Sequence, residues 1–408
     1  MSRIDNLIAE MCPEGVEFIA VEDLFETRNG YTPSKANASN WTDGTIPWFR
    51  MEDIRENGRV LGSSIQQISA SAVKGGRLFP ANSIIVATSA TIGEHALITV
   101  PFLSNQRFTA LWLKPQFVSS FDLKFVFYYC FVLDEWCRDN TTTSSFASVD
   151  MAGFKRFRFP VPPLEIQREI VRILDRFTEL EAELERKLEA ELSVRSTQFA
   201  YYRDSLLMFP MAEEVPRIPM GEFCGIVDGT HQTPRYTDDG VPFVSVENIA
   251  SLGATKKYIS IDDFETQYKV KPRTNDLLMT RIGSIGICAV VENDYPLAYY
   301  VTLALIRPKG NEVTARYLRH VIESRVGRSE LWKRTLHTAV PIKINLGDIG
   351  KVLIPVPPRA EQDRIVEMLD KFEASLRDLS IALPAELNAR RQQYDYIRDR
   401  LLTFPEAA

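Results

Sequence analysis

Two stretches of the chain place apolar residues three or four positions apart, which is the period of an amphipathic helix. The apolar positions are 166, 170, 173, 177, 180, 184, 188 and 192 in the first stretch, and 365, 369, 372, 376, 379, 383 and 387 in the second. Each stripe begins after a Pro-Pro pair, where the fixed φ of proline suits the first helical turn. The pattern predicts a helix over 164–207, about 66 Å long at 1.5 Å per residue, and a second helix of similar length.

The second stretch is a copy of the first. The motif Pro-Val-Pro-Pro with a glutamine four positions later occurs at 160–167 and again, 195 residues on, at 355–362. An ungapped comparison of 160–210 with 355–405 gives 24 identities in 51 positions, so the chain carries an internal duplication. A narrow apolar seam on so long a helix favours a partner helix, and we predict that the two copies pair antiparallel as an intramolecular coiled coil. Pro384 should kink or interrupt the second helix.

The regions before the two helices are also related, since positions 45–54 parallel 240–249 at the same spacing. Both regions mix short β-branched runs with one helical stretch, predicted at 123–138 and at 314–334. The short runs, which predict strands, are 84–86, 96–100, 108–113, 243–246, 277–279 and 302–306. The predicted class is α+β, and the predicted segments are an α/β domain at 1–159, a long helix at 160–210, a second α/β domain at 211–354 and a long helix at 355–408.

Composition excludes several classes of protein. The longest uncharged apolar run, 125–133, has nine residues, far fewer than the roughly 20 that cross a bilayer. The N-terminus does not resemble a secretory signal, so we expect a cytoplasmic protein with no membrane span. The five cysteines form no Cys-x-x-Cys pair and the four histidines lie far apart, which argues against a disulfide framework and a metal site.

The net charge of −6 at first argues against a nucleic-acid partner, because domains that bind nucleic acid are usually basic. However, the two long helices carry five of the six excess negative charges, so the two α/β domains are nearly neutral. Within 314–351 there are eight basic residues and three acidic ones. Such a stretch suits phosphate contacts, and the alternative is a solvated helix face.

Motifs in both halves of the chain resemble one family. The stretch Gly-Tyr-Thr-Pro-Ser-Lys at 30–35, followed by Trp41, Gly44, Ile46-Pro47-Trp48 and Asp53-Ile54, resembles the opening of a target recognition domain in the specificity subunit of type I restriction-modification systems. The two Pro-Val-Pro-Pro helix starts, the Arg281-x-Gly283-x-x-Gly286 turn, and Ile344-Asn345-Leu346 before Ile354-Pro355 are similar to that family too. The resemblance covers nearly the whole chain, and its specificity lies in the twofold occurrence of domain and long helix.

The resemblance implies a role in restriction-modification, and through it in DNA methylation and phage defence. In that family each recognition domain reads one half of a bipartite double-stranded DNA site, the paired helices set the spacer, and two methyltransferase subunits dock on the assembly. It implies no cofactor on this chain, with S-adenosylmethionine held by the methyltransferase, and it leaves open whether two restriction subunits also join. The helix residues expected to pair the helices and to dock partners are Ile170, Leu174, Phe177, Leu184, Leu188, Ile365, Leu369, Phe372, Leu379 and Leu383.

The sequence contains no recognisable catalytic motif. A methyltransferase of this kind needs an Asn/Asp-Pro-Pro-Tyr/Phe element, but the only Pro-Pro pairs begin the two long helices. The paired acids at 238–239 and 262–263 are interpreted as turn residues rather than as carboxylates of a nuclease. We therefore expect catalysis to belong to the partners. The alternative from another class is a protein-interaction scaffold that does not read DNA.

Polar side chains in the predicted loops are the candidates for DNA contact, because hydrogen-bonding and cationic groups read base edges. In the first domain the candidates are Arg28, Asn29, Tyr31, Lys35, Thr88, Ser89, Thr91, Gln106 and Arg107, with a further polar run at 141–145. In the second domain they are His231, Gln232, Arg235, Tyr236, Arg281, Ser284, Lys333, Arg334, His337 and Lys343. Four aromatic residues that flank strands are interpreted as core, namely Trp41, Trp48, Phe49 and Phe243.

Overall fold

The computed structural model describes residues 3–142, 147–209 and 215–407. Its first compact unit comprises Met1–Glu185 with Glu386–Ala408, and its second comprises Arg186–Ala385. Each unit therefore combines one α/β domain with part of each long helix. Positions 143–145 of the predicted polar run and Pro210, which was expected to follow the end of the first long helix, lie outside the described residues.

The elements up to the first long helix follow the predicted mixture of short strands and helices. The helices are α1 (Arg3–Met11), α2 (Val21–Leu24), α3 (Met51–Asn57), α4 (Leu123–Asp139), α5 (Met151–Arg156) and α6 (Leu164–Leu207). The strands are β1 (Phe18–Ala20), β2 (Phe25–Asn29), β3 (Ile46–Phe49), β4 (Val60–Leu61), β5 (Gln67–Ile68), β6 (Ser83–Ala87), β7 (His95–Ile98), β8 (Leu103–Ser104), β9 (Phe108–Leu113), β10 (Thr141–Thr142), β11 (Ser148–Val149) and β12 (Arg158–Pro160). Short 3₁₀ turns occupy Ala38–Asn40, Ala70–Ala72, Lys74–Gly76 and Pro115–Phe117.

The remaining elements repeat this order with local differences. The helices are α7 (Met220–Phe223), α8 (Ile261–Gln267), α9 (Ala315–Glu323), α10 (Arg325–Arg334), α11 (Leu346–Gly350) and α12 (Arg359–Leu401), with a 3₁₀ turn at Leu252–Ala254. The strands are β13 (Arg217–Pro219), β14 (Cys224–Asp228), β15 (Tyr236–Thr237), β16 (Val241–Val244), β17 (Tyr258–Ile259), β18 (Leu277–Thr280), β19 (Cys288–Val290), β20 (Ala298–Tyr299), β21 (Leu303–Pro308) and β22 (Leu353–Pro355).

The first domain is built on a five-stranded sheet in the order β2-β9-β6-β7-β4, beside a three-stranded sheet in the order β5-β3-β8. Strand β6 is buried along its whole length because it contributes to two cores. Ile84 and Val86 pack in the core that includes α4 and the start of α6, whereas Ile85 and Ala87 pack with the three-stranded sheet. This alternation follows from the period of two in a strand.

The second domain has the same plan. Its sheets are β14-β21-β18-β19 and β15-β17-β16-β20, each with four strands. Leu277 and Met279 of the central strand β18 pack in the core that includes α9 and the start of α12, and Leu278 packs in the core of the other sheet. The duplication predicted from the helices therefore extends to both domains.

Each domain is attached in the same way to the long helix that follows it. Asp175 of α6 accepts hydrogen bonds from Tyr128 Oη at 2.7 Å and from Lys124 Nζ at 2.6 Å. Asp370, which lies 195 positions later on α12, is bonded to His320 Nε2 at 2.9 Å and to Arg316 at 2.8 Å. Equivalent aspartates therefore anchor α4 in the first unit and α9 in the second.

The long helices pair antiparallel within each unit, as predicted. In the first unit the rings of Phe177 and Tyr394 lie 6.3 Å apart, and Arg391 donates to Glu181 at 2.6 Å, so the partner positions run in opposite directions. In the second unit Phe199 and Phe372 lie 5.6 Å apart. These two ring pairs occupy equivalent positions of the duplication, because 177 corresponds to 372 and 394 to 199.

Three details differ from the expectations. The single helix expected at 314–334 is two helices, because Ser324 has extended backbone angles and its hydroxyl caps α10. Helix α12 continues through Pro384, so the predicted interruption is wrong; proline removes one main-chain hydrogen bond, and the flanking turns keep theirs. Asp262 and Asp263 lie in the first turn of helix α8 rather than in a loop turn. Negative charge at this end of a helix is stabilised by the helix dipole.

The four aromatic residues interpreted as core match that interpretation. Trp48, Phe49 and Phe243 are buried in the cores, and Trp41 packs edge-on against Trp48. All five cysteines are free thiols. In the part of the chain that the structure describes, no helix is both long and apolar enough to cross a membrane.

Candidate functional site

Four loops of the first domain meet at one edge of its large sheet. The loop after β2, the loop between β6 and β7, the β8–β9 turn and the β10–β11 hairpin supply the contacts. Thr88 N donates to the Arg107 carbonyl at 2.9 Å, and the Thr32 hydroxyl donates to the Gln106 side chain. Ser89 forms an antiparallel bridge with Ser148. The sequence-predicted candidates of this domain therefore come from separate loops but share one surface.

Equivalent loops meet in the second domain. Thr230 N donates to the Tyr299 carbonyl at 3.2 Å, and Arg281 N donates to the Thr302 carbonyl at 2.9 Å. Ile282 bridges Lys343 in the same antiparallel manner as Ser89 bridges Ser148. The two domains thus build the same edge with different side chains.

A glycine permits the closest approach at each edge. A Cβ atom added to Gly30 would lie 2.1 Å from the Asn105 carbonyl oxygen, and one added to Gly229 would lie 2.1 Å from the Tyr299 carbonyl oxygen. No real Cβ atom tolerates such a distance, so only glycine lets these loops contact each other there. The Gly-Tyr-Thr-Pro stretch singled out in the sequence begins with this contact.

Most first-domain candidates are accessible. Asn29, Lys35, Gln106 and Arg107 are exposed, while Arg28, Tyr31, Ser89 and Thr91 are half-buried. The Arg28 guanidinium lies 5.4 Å from the centre of the Phe79 ring.

Thr88 is an exception, since it is only 7% exposed. Its hydroxyl lies 3.0 Å from that of Thr109, which donates to Asn29 Oδ1 at 2.9 Å. The Thr88 hydroxyl is therefore used inside the domain.

Sequence reasoning missed one cation at the first edge, and a second cation follows it in the chain. Lys74 lies in a 3₁₀ turn, its N–H donates to Tyr31 Oη at 2.8 Å, and its ammonium group lies 4.8 Å from the centre of the Tyr31 ring. Arg77 follows the same turn and is exposed. The Lys-Gly-Gly-Arg sequence at 74–77 was the available signal, because two glycines beside two cations are typical of an exposed basic loop.

Arg281 is the most buried candidate of the second domain. It was a candidate base reader, but the side chain is buried and its donors are used within the domain. They bind Asp228 Oδ2 at 3.3 Å and the carbonyls of Val301 at 3.0 Å and Ile344 at 3.3 Å. Arg281 therefore positions the surrounding loops instead of presenting its guanidinium to a ligand.

Lys333 and Arg334 are also engaged, since both bind the Glu330 carboxylate, at 2.9 and 2.8 Å. Burial alone would raise the pKa of Glu330, but the bonds from Lys333, the Leu353 N–H and Arg334 outweigh it and lower that pKa. Much of the charge predicted for this helix is thus neutralised locally. Among the described residues, the exposed side chains of Arg235 and Lys343 form no ion pair.

The other second-domain candidates are accessible, and some of them contact neighbouring side chains. His231 Nε2 lies 2.8 Å from Asp228 Oδ2, and the Tyr236 ring packs 5.6 Å from that of Phe243. Gln232 and Ser284 are exposed in their loops. His337 is exposed, and its ring packs against that of Trp332 at an interplanar angle of 49°.

The apolar helix residues expected to dock partners mostly lie inside the units. Ile170, Leu174, Ile365 and Leu369 are buried in the two domain cores and are therefore covered by the domains themselves. The reason is that each domain packs on the first turns of the helix that follows it. Phe177 and Phe372 pack against the other long helix, as described above, and the half-buried positions further along are Leu184, Leu188, Leu379 and Leu383.

One cluster in the second unit has residue types that metals prefer. His320, Asp370 and Glu373 bring possible ligand atoms within 4.8 Å of one another. However, Arg316 binds Asp370 at 2.8 Å and Arg319 binds Glu373. Because two guanidinium groups already neutralise these carboxylates, the cluster is an ion-pair network that fastens α9 to α12.

Sequence comparison places the chain among known proteins. The family described as type I restriction modification DNA specificity domain matches residues 13–194 and 217–389. The EcoprrI type I restriction enzyme specificity subunit of Escherichia coli is 58% identical over 239 residues, which cover 57% of this chain and 60% of that relative. The EcoR124I/EcoR124II specificity subunit of Escherichia coli is 29% identical over 307 residues, covering 70% of this chain and 71% of that relative.

Solved structures support the fold. A chain from a study of complex assembly and conformational transition of the type I R-M system superposes with a TM-score of 0.70 at 18% identity, covering 96% of this chain and 98% of that one. The HsdS subunit from Thermoanaerobacter tengcongensis gives 0.57 at 18% identity, covering 96% and 97%. With both domains matched by the family and the whole fold matched by these structures, the chain belongs to the type I restriction-modification DNA specificity family.

Proposed function

We propose that this chain is the subunit that selects the DNA sequence for a type I restriction-modification complex. Each α/β domain would read one half of a bipartite duplex site with the loop edge described above. The observation that carries the proposal is the repeated edge: the same loops meet in both domains, yet the exposed side chains differ. A common frame with different contact residues suits the reading of two unlike sequences.

The exposed chemistry of the two edges supports DNA as the ligand. Lys35, Lys74 and Arg107 are exposed at the first edge, and Arg235 and Lys343 at the second. Cations contact phosphates, while hydroxyl, amide and guanidinium groups in the same loops read base edges. Because the domains are nearly neutral overall, we propose that partner subunits supply much of the phosphate affinity.

The proposed partners are two methyltransferase subunits, which would hold S-adenosylmethionine and perform the chemistry. The long helices offer each of them an equivalent contact. Tyr201 and Tyr396, 195 positions apart, are 69% and 68% exposed. Aromatic side chains are enriched at protein interfaces, so we propose that each tyrosine anchors one partner. The chain itself would be non-catalytic, and because cellular DNA is the proposed ligand, the proposed location is the cytoplasm.

The test is a binding selection with the assembled complex. The chain would be co-expressed with a methyltransferase subunit of a type I system and incubated with a randomised duplex library at several salt concentrations. The expected result is enrichment of a sequence in two blocks separated by an unspecified spacer, with affinity that falls as salt rises. Recovery of a stable complex that enriches no sequence would favour the scaffold alternative and contradict the proposal.

A further inference from the structure

The second domain carries a hairpin, residues 335–344, whose base is fixed to the domain. Leu336 N donates to the Lys343 carbonyl at 2.7 Å. Gly283 N donates to the Ile342 carbonyl at 2.8 Å, and Ile344 N donates to the Arg281 carbonyl at 3.0 Å. Main-chain bonds thus join the hairpin both to itself and to the turn that begins at Arg281.

Helix α10 braces the same hairpin from another side. The rings of Trp332 and His337 lie 4.0 Å apart, and His337 Nε2 lies 3.0 Å from the Trp332 carbonyl oxygen. The position of the hairpin is therefore fixed before any ligand binds. A preorganised reading element loses less conformational entropy on binding than a mobile one.

The tip of the hairpin is apolar and accessible. Val340 is 99% exposed, Pro341 is exposed, and Ile342 is half-buried. A single exposed apolar residue needs no explanation by itself, but this one lies on the candidate DNA-contacting edge. Of the cations near the hairpin, Lys333 and Arg334 bind Glu330, whereas the exposed Lys343 at its base forms no ion pair among the described residues. An apolar tip beside this cation suits a polyanion that also displays apolar groups.

We propose that this hairpin enters the major groove of DNA and that the Val340 side chain contacts the C5-methyl group of a thymine. The inference rests on the proposed function, because it names a specificity-determining residue of that site. The major groove admits a two-stranded ribbon, and apolar side chains recognise thymine through its methyl group. Valine forms no hydrogen bond through its side chain, so the thymine methyl is the feature of a base edge that it selects.

The first domain differs at the equivalent position. The sequence from 141 to 145 is Thr-Thr-Thr-Ser-Ser, and in the described part of that hairpin the Thr142 hydroxyl donates to the Ser148 carbonyl at 3.1 Å. Threonine offers a hydroxyl group for hydrogen bonds as well as a methyl group for thymine. The thymine dependence assigned to Val340 therefore concerns the half-site that the second domain reads.

The experiment uses the complex with its methyltransferase partner and the duplex enriched in the selection above. Each thymine of the enriched site would be replaced in turn by deoxyuridine, which lacks only the methyl group. For the unmodified protein we expect about a fourfold loss of affinity at one position in one half-site, the effect of burying one methyl group. Val340→Ala should bind the thymine duplex more weakly and show a smaller difference between thymine and deoxyuridine, because its shorter side chain buries less of the methyl group.

Ile261→Ala is the matched control, because Ile261 is an apolar residue of the same domain and is 67% exposed. It should keep both the affinity and the thymine dependence. Three results would overturn the proposal: a half-site without thymine, full affinity for every deoxyuridine duplex, or an unchanged thymine dependence in Val340→Ala. The absence of any enriched sequence would instead refute the proposed function itself, so the two failures are distinguishable.

Discussion

The Arg281 guanidinium donates to Asp228 Oδ2 at 3.3 Å, and the Arg281 side chain is only 10% exposed. This pair joins the end of strand β14 to the turn after β18. The same guanidinium also binds two main-chain carbonyls, so a single buried cation connects several loops of the second edge. An arginine in a Gly-rich turn therefore fixes the positions of the loops at this edge.

The first prediction concerns the stability provided by Arg281. In Arg281→Ala the carbonyls of Val301 and Ile344 lose their donor and Asp228 loses a cation, so we expect the free energy of unfolding to fall by about 2–3 kcal/mol. Urea unfolding measures the change. Arg235→Ala, which removes an exposed arginine of the same edge, should leave stability within about 0.5 kcal/mol of the unmodified protein. Wild-type stability in Arg281→Ala, with a change in one base preference, would restore its role as a base reader.

A second prediction concerns two glutamines at equivalent positions. Gln167 Nε2 donates to the carbonyls of Ser120 and Pro162 at 2.9 and 2.7 Å, and its Oε1 accepts from Asp122 N at 2.8 Å. Gln362 Nε2 makes two such bonds, to the carbonyls of Glu312 and Pro357, at 2.7 and 3.0 Å. Both side chains are fully buried.

Because unpaired buried groups are costly, we expect Gln167→Ala to lower the free energy of unfolding by about 2–3 kcal/mol. Gln362→Ala should lower the free energy of unfolding by less, because the Oε1 atom of Gln362 has no hydrogen-bond partner among the described residues. Chemical denaturation of both variants tests the order, with the exposed Gln392→Ala as the control. Equal stability of all three variants would show that these bonds do not hold the domains on their helices.

A third prediction uses the buried histidine of the first domain. His95 Nδ1 lies 2.6 Å from Asp134 Oδ2, with Arg59 3.5 Å from the same oxygen. Burial lowers the pKa of His95, although Asp134 opposes that change. In the unfolded chain histidine has its usual pKa of about 6.5. Below that pH the unfolded state therefore binds a proton that the folded state does not bind. Stability should therefore fall as pH drops from 7.5 to 5.5.

Denaturation midpoints at several pH values in this window measure the effect. His95→Gln should make the dependence on pH shallower, whereas His231→Gln, which replaces an exposed histidine, should retain it. The carboxyl groups whose pKa is lowered, such as those of Glu169 and Glu330, lose their contribution at lower pH and do not interfere. An unchanged slope in His95→Gln would contradict the prediction.

The parts of the fold that depend on periodicity were predictable. A stripe of apolar residues and a Pro-Pro start define helix α6 at Leu164–Leu207, because a helix that long is determined by local pattern and a paired seam. The break between α9 and α10 at Ser324 was not predictable from the sequence. A serine is tolerated inside a helix, and Ser324 acts as a cap because its hydroxyl accepts a hydrogen bond from the Gly327 N–H.

The candidate site was predictable in its loops but not in the state of each side chain. Arg107 and Arg281 are both arginines next to strand ends, yet one is exposed and the other is buried beside Asp228. That difference arises from a partner 53 positions away in sequence, which no local pattern reveals. The predicted boundaries of the four segments and the assignment of individual DNA contacts stay predictions.

A fourth prediction concerns the two exposed tyrosines of the long helices. If Tyr201 and Tyr396 each anchor one methyltransferase subunit, either alanine variant should reduce the assembly from two partners to one, because each removes one aromatic anchor. Native mass spectrometry of the co-expressed complex counts the subunits. Ile381→Ala, which alters a residue 66% exposed on α12, is the control. Retention of both partners in the double variant would exclude these tyrosines as anchors.

The last prediction separates the two reading edges. Arg107 lies at the first edge and Arg235 at the second, and both are exposed. A base contact by arginine contributes about 1–3 kcal/mol of discrimination, so Arg107→Ala should relax positions in one block of the selected sequence and Arg235→Ala positions in the other. The double variant should relax both blocks, with effects that add because the arginines belong to different domains. Selection of each variant against the same randomised library measures this. Uniform weakening of both blocks by either single variant would mean that the arginine contacts phosphate and reads no base.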